Sequence, residues 1–198
     1  MEIVLATRNR RKAEELKRMT SNMPLFVMTL DDFPGCPETE EDGETFEANA
    51  VKKATAVARY TGKPALADDS GLEVFALGGA PGIFSARYAG EGATDSKNTE
   101  KLLQEMRSME GSDRRARFVC CIALAFSDGA VQTFYGYVEG AIGREPHGAN
   151  GFGYDPIFYP TGSDRTFAEM DESEKDAISH RGRALKSLYS YLRVLTAG

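Results

Sequence analysis

The chain has 198 residues, 41% of them hydrophobic and 27% charged, with a formal net charge of −6. That length and balance describe one soluble globular domain with room for a sizeable core. The negative charge argues against a duplex-binding protein that works by counterion release, and no apolar run reaches the ~18 residues of a membrane span.

Glu2 to Ala6 reads as a short buried strand. Met1 to Leu5 lacks the basic region of a signal peptide, so the cytoplasm is the expected location. Thr7-Arg8-Asn9-Arg10-Arg11-Lys12 follows as a polar turn, and Ala13 to Met19 reads as a helix with Leu16 and Met19 facing inward. Strand, short turn and helix N-terminus together make an anion cradle, because free backbone N–H groups and the helix dipole converge there. Arg8, Arg10, Arg11 and Lys12 read either as a solvated helix start or, since cations are electrostatically misplaced at that end, as partners of a bound anion. The glycines of the GxxxxGK[ST] phosphate loop are absent.

Leu25 to Leu30 is a second strand and Asp31 to Pro37 a loop. Glu38 to Glu44 is an acidic run, read either as a solvated loop or as favourable charge before a helix. Thr45 to Tyr60 is that helix, with Phe46, Ala50, Ala54 and Val57 on one side and Asn49 and Lys53, four apart, beside the stripe. Gly62-Lys63-Pro64 ends it. Ala65-Leu66-Ala67 reads as the end of a buried strand, and Asp68-Asp69-Ser70-Gly71 as a turn before a further strand, Leu72 to Leu77. Paired carboxylates at a strand end suit a hard divalent cation; the same four residues also make an ordinary solvated turn.

Gly78 to Gly82 breaks that strand, and Ile83 to Gly92 is expected as a long loop. Asp95 to Met109 is a helix capped by Thr94 or Asp95, with Leu102, Leu103 and Met106 buried. Ala116 to Phe126 and Ala130 to Val138 are strands joined by Ser127-Asp128-Gly129 as a hairpin. Gly143 to Pro156, with Phe152 and Tyr154 among glycines, reads as a flexible, accessible, aromatic loop, or as a structural turn with Phe152 as a core plug. Ile157 to Tyr159 is a short strand and Glu172 to Ser179 a short helix or turn. Arg181 to Leu195 is the last helix, buried along Leu185, Leu188, Leu192 and Leu195, with Ser179 as its N-cap. Cys36, Cys120 and Cys121 form no paired framework, and with His147 and His180 they give no zinc-ligand spacing; they read as packing residues.

Lys12, Lys53, Lys175 and Arg181 supply positive charge, Glu41, Asp68 and Asp69 negative charge, and Phe152 and Tyr154 flat aromatic faces. A polyphosphate carried with magnesium needs both signs, since Mg²⁺ takes carboxylate and phosphate oxygens while lysines neutralise the rest. A planar base needs an aromatic face. These residues describe a magnesium-dependent nucleotide-processing enzyme. A haloacid-dehalogenase-type phosphatase spaces its aspartates as DxDx[TV], whereas these are adjacent. A nucleotide sensor that never turns over is the non-enzymatic alternative, and the complete carboxylate set speaks against it.

Six ordered motifs carry a resemblance over essentially the whole chain. They are Val4-Leu5-Ala6-Thr7-x-Asn9-x-x-Lys12-x-x-Glu15; Glu41-Asp42-Gly43-x-Thr45-Phe46-x-x-Asn49-Ala50-x-x-Lys53-Ala54; Ala67-Asp68-Asp69-Ser70-Gly71-Leu72; Pro81-Gly82-x-x-Ser85-Ala86-Arg87-Tyr88; Gly151-Phe152-Gly153-Tyr154-Asp155-Pro156; and Lys175-x-x-Ile178-Ser179-His180-Arg181. The sequence resembles the inosine/xanthosine triphosphate pyrophosphatases. The resemblance implies an α/β fold, an elongated mixed β-sheet flanked by helices in two lobes with a central cleft, spanning residues 1–198 as one domain and assembling as a homodimer. It implies hydrolysis of ITP, dITP or XTP to the monophosphate and pyrophosphate with Mg²⁺, and no nucleic-acid or membrane partner.

By the same resemblance, Thr7, Arg8, Asn9, Arg10, Arg11 and Lys12 wrap the phosphates, and Lys53 offsets the charge of the leaving pyrophosphate. Glu41 and Asp69 hold the metal, and Asp69 is also the proton acceptor, with Asp68 its rival. Ser70, Phe152, Gly153, Tyr154, Asp155 and Lys175 contact substrate, and His180 and Arg181 approach the base; because a guanidinium only donates, Arg181 is expected to meet the carbonyl at position 6, the alternative being a helix cap and surface ion pair. Many members carry Gly where this chain has Arg8, which leaves individual roles within residues 8–11 open.

Overall fold

In the computed structural model, which describes residues 1–107 and 113–197, strands and helices alternate through the first third of the chain. They are β1 (Glu2–Leu5), α1 (Arg10–Thr20), β2 (Phe26–Thr29), α2 (Phe46–Thr61) and β3 (Ala65–Val74). Then come α3 (Asp95–Arg107), β4 (Arg115–Ala125), β5 (Val131–Ile142), β6 (Phe158–Pro160), α4 (Glu172–Ile178) and α5 (His180–Ala197). The strands form one mixed sheet in the order β2-β1-β3-β4-β5-β6. β1 runs parallel to both β2 and β3, while β5 and β6 are antiparallel. Helices flank the sheet, which is the α/β class expected.

The chain divides into two compact units. The first comprises Met1–Asp69, Cys120–Gly136 and Arg181–Gly198. Its core joins Ile3 and Leu5 of β1, Leu16 of α1, Leu66 of β3, Ile122 and Leu124 of β4, and Leu185, Leu188 and Leu192 of α5. The inward stripes of α1 and α5 recur at helical spacing, so burying one face of each helix is what holds them. Leu195, expected in that stripe, is instead 50% exposed, because α5 has outrun the apolar surface that covers its earlier turns. The second unit comprises Ser70–Val119 and Tyr137–His180. Its core gathers Leu72 and Val74, Leu102, Leu103 and Met106 of α3, and Phe118, Phe158 and Phe167. Thr94 caps α3, its hydroxyl accepting from Lys97 N at 3.3 Å. The expected end of that helix at Met109 lies outside the described residues.

Two stretches differ from expectation. Asp68 to Gly71 is no turn: β3 is a continuous strand through them, and it ends at Val74, with a 3-10 turn over Phe75–Leu77. The carboxylates fit inside a strand because each meets a cation or an amide, which removes the solvation that would otherwise favour a turn. Gly82–Arg87, expected as loop, winds as 3-10 helix. Ser85 is buried there, donating to the Gly82 carbonyl at 2.6 Å and accepting from Leu72 N at 2.9 Å, which pins the segment to β3.

Candidate active site

The parallel strands of the first unit place its charged residues. The chain goes to β2 on one side of β1 and to β3 on the other, and ligands of open α/β sheets bind at such reversals, beyond the carboxyl ends of the strands. β1 pairs with β3 only at Val4–Ala65 and Leu5–Leu66, with a last bond from Ala6 N to the Leu66 carbonyl at 2.8 Å. β1 then stops and β3 runs on, so Ala67, Asp68 and Asp69 lie just beyond the end of β1. The strand that ends here is β1, whereas β3, expected to end at Ala67, continues to Val74.

Past β1, Asn9 caps α1, its side chain accepting from Lys12 N at 3.2 Å, and Thr7 Oγ1 accepts from Asn9 N at 3.2 Å. No acidic residue stands in the first turn of α1, which opens instead with Arg10, Arg11 and Lys12. The helix mouth therefore remains an electropositive cradle. Arg8 donates to the Cys36 carbonyl at 2.6 Å, so its side chain is anchored to the loop that follows β2.

Adjacent strand residues point to opposite faces, and the two aspartates have different company. Asp68 Oδ2 accepts from Arg181 Nη2 at 2.7 Å and Nε at 3.1 Å, and Asp68 Oδ1 lies 3.3 Å from Lys12 Nζ. Arg181 Nη1 also donates to Glu15, which α1 presents one turn after Lys12. Arg181 is 1% exposed. Burial works against its charge, but Asp68 and Glu15 outweigh burial and hold the guanidinium above its ordinary pKa. The donors of Arg181, expected to meet a base carbonyl, are here turned to two buried carboxylates.

Asp69 accepts from Asn49 Nδ2 at 3.1 Å through Oδ2, and its Oδ1 lies 3.6 Å from Lys53 Nζ. Burial lifts the Asp69 carboxyl above the usual carboxylate range, with Lys53 and Lys12 pulling against that rise. Lys53 Nζ also donates to Glu41 Oε1 at 2.6 Å and to the Asp68 carbonyl at 2.7 Å. Asn49, which shares a helix face with Lys53, ties the acidic loop to β3: its Oδ1 accepts from Gly43 N at 2.8 Å while its amide donates to Asp69. Gly43 must be glycine, because a Cβ there would stand 2.7 Å from Asn49 Oδ1 and 2.9 Å from Ala48 Cβ. Glu15 and Asn49 are the site residues that residue-by-residue reading passed over. Their helical spacing from Lys12 and Lys53 was the available signal.

Among the described residues no group of three or more His, Cys, Asp and Glu side chains is assembled for a metal. Glu41 and Asp69 nonetheless share one ammonium, and magnesium asks only one or two carboxylates of a protein when phosphates and waters complete its octahedron. The donor set fits.

In the second unit, Asp155 Oδ2 accepts from Lys175 Nζ at 2.7 Å and from Phe152 N at 2.9 Å, and the Lys175 ammonium sits 4.9 Å over the Phe152 ring. Gly153 N donates to Asp95 at 2.9 Å. Tyr154 is buried, its hydroxyl donating to the Ser85 carbonyl at 2.9 Å, so it is a core residue rather than a stacking face; the accessible aromatic loop reduces to half-buried Phe152. His180 stacks on Phe118 with centroids 4.7 Å apart and rings within 10°. Ser70 is half-buried on β3. A groove of about 730 Å³ along α3, lined by Asp95, Thr99 and Arg107 among others, includes Gly153 but no other expected site residue.

The structure thus brings Lys12, Glu41, Lys53, Asp68, Asp69 and Arg181 together in one unit, and Phe152, Asp155 and Lys175 in the other. An α/β sheet that sets a cationic helix mouth beside paired carboxylates belongs to the class of phosphate-handling proteins. Residues 3–191 match the Ham1 family, and the chain is a member of it. It is 53% identical to a dITP/XTP pyrophosphatase of Syntrophobacter fumaroxidans over 94% of this chain and 79% of that protein. A dITP/XTP pyrophosphatase of Geobacter sulfurreducens is 50% identical over 96% of each. Among solved structures, a HAM1 protein from Coxiella burnetii superposes with a TM-score of 0.90 at 47% identity over the whole of both chains. The Staphylococcus aureus Ham1 protein gives 0.87 at 44% identity over 98% of each.

Proposed function

We propose that this protein hydrolyses ITP, dITP and XTP to the monophosphate and pyrophosphate, and so clears deaminated purines from the nucleotide pool. The observation that carries this reading is the unequal pair in β3: Asp68 is locked between Arg181 and Lys12, while Asp69 is a carboxyl that burial holds above the usual carboxylate range, beside Asn49 and Lys53. The names of relatives about half identical over nearly the full chain support the substrate class.

In this reading the backbone N–H groups of the Thr7–Lys12 turn and the Lys12 ammonium bind the phosphates, with Arg10 and Arg11 adding positive field. Asp69 takes a proton from the water that attacks the α-phosphorus. The bond to the bridging oxygen breaks and pyrophosphate departs, its charge met by Lys12 and Lys53. Glu41 and Asp69 would hold Mg²⁺, which when bound neutralises charge on the phosphate oxygens. A general base with a raised pKa accepts a proton nearer neutrality, where such catalysis is most efficient. Phe152 offers the base a face, fixed by Asp155 and Lys175, and Ser70, Gly153 and His180 complete the contacts. Tyr154 and Arg181 act behind these groups, holding their supports in place. A homodimer working in the cytoplasm belongs to the same reading.

The test is product analysis. ITP, dITP, XTP and ATP are each incubated with the protein and magnesium, and pyrophosphate and orthophosphate are measured separately. Pyrophosphate from the first three in preference to ATP is expected. Orthophosphate release, or binding without turnover, would reject the reading.

A further inference from the structure

Lys53 stands among oxygens of the kind a metal takes. Its ammonium meets Glu41 Oε1 at 2.6 Å and the Asp68 carbonyl at 2.7 Å, with Asp69 Oδ1 at 3.6 Å. Two carboxylates and a carbonyl are also what a hard divalent cation prefers, and an ammonium with three donors can satisfy them in its place. The oxygens are not free to spread. Asn49, one helical turn before Lys53, holds Gly43 of the acidic loop with one end of its amide and Asp69 with the other. The next lysine on α2 does something different: Lys52 turns outward to Asp42 at 2.5 Å, both well exposed.

We propose that Lys53 and the divalent cation compete for the same oxygens, so that the nucleotide-free protein holds the metal weakly and metal and nucleotide bind together. The phosphates of the nucleotide supply the alternative partner that draws the ammonium away and leaves Glu41 and Asp69 to the metal. Lys53 is thereby a positioning residue for metal entry as well as a neutraliser of the leaving group. The inference rests on the metal role given above to Glu41 and Asp69.

The probe is Mn²⁺, followed by electron paramagnetic resonance of the free ion, with no turnover involved. Binding is measured on the nucleotide-free wild type and on K53M, K52M and E41Q, then repeated with a non-hydrolysable ITP analogue. K53M is expected to bind Mn²⁺ about tenfold more tightly than wild type without nucleotide, and to gain little when the analogue is added. Wild type and K52M are expected to bind weakly alone and to gain tenfold or more with the analogue. K53Q, uncharged but polar, carries the same expectation should K53M fail to fold. Mn²⁺ binding by nucleotide-free K53M no tighter than that of wild type, or a tightening in nucleotide-free K52M equal to that in K53M, overturns the proposal. If E41Q binds Mn²⁺ like wild type with and without the analogue, the metal assignment itself is at fault, and the proposal falls with it.

Discussion

In an extended strand, neighbouring side chains leave on opposite faces, and at residues 68 and 69 that alternation separates two carboxylates into different electrostatic settings. Asp68 is a counter-ion of a buried guanidinium, so Asp68→Asn removes one of the two carboxylates to which Arg181 donates. Asp69 is already biased by burial toward its neutral form, so an amide there disturbs the fold less. Asp69→Asn is therefore expected to lower turnover by ~10²–10⁴ with a small change in melting temperature. Asp68→Asn is expected to lower the melting temperature more. Turnover at saturating ITP and a thermal melt of each variant check both halves; the reverse ranking would make Asp68 the base. For Arg181→Ala, which takes a shared guanidinium from two buried carboxylates, ~3–5 kcal/mol of stability should be lost in denaturant titrations. Much of this was legible beforehand. The charged residues, their signs and their phosphate chemistry could be read from spacing and resemblance. What Arg181 touches could not, because Glu15 and Asp68 reach it only through contacts distant in sequence.

Among the elements, α1, α2 and the last helix could be read closely from their apolar stripes and caps, since a period of 3.6 is a strong local signal. The Asp-Asp-Ser-Gly stretch was misread because turn composition is a local property, whereas a strand that passes through carboxylates depends on cations brought by other elements. The glycine-rich segment before β6 misled in the other direction, since its glycines fix a conformation instead of loosening one. Gly151 has φ +71°, and a Cβ there would stand 2.1 Å from Asp155 Oδ2, an oxygen already held by Lys175 and Phe152 N. Gly153 has a similar φ of +63° with nothing within 4 Å. Gly153→Ala should then cost only the left-handed strain, ~1–2 kcal/mol. Gly151→Ala should add displacement of the Asp155–Lys175 pair and raise KM for the nucleotide. Melting temperatures of both variants and the KM of Gly151→Ala decide this; a KM for Gly151→Ala equal to that of wild type would show that the pair does not support substrate binding.

At the scale of the molecule, Cys36, Cys120 and Cys121 lie buried, and none forms a disulfide. Burial pushes the Cys121 thiol up to about 12, against a weaker downward pull from Tyr135, with Glu47 and the two aspartates adding to the rise. A thiol held up in the folded state stays protonated while its unfolded counterpart, near pKa ~8.5, ionises. Its contribution to stability is therefore intact below pH ~8.5 and declines from there toward pH 12. Near neutral pH the native protein should resist a thiol reagent such as Ellman's, and all three cysteines should react together once denaturant unfolds the chain. Fast labelling of a single cysteine in the native protein would contradict that burial.

The helix α5 contributes both Arg181 and the buried leucines 185, 188 and 192 of the first unit. Of all the described elements it is also the last to be synthesised. A nascent chain that has already made β1, α1 and β3 has therefore placed Glu15 and Asp68 where burial is unfavourable, without the Arg181 guanidinium that both share. Until α5 emerges, these carboxylates favour water over the apolar surface they will later sit within, and a partly made chain is kept from closing over an incomplete site. A chain interrupted before residue 181 should accordingly remain open and susceptible to proteases, so that chains surviving to act on nucleotides are those translated through α5.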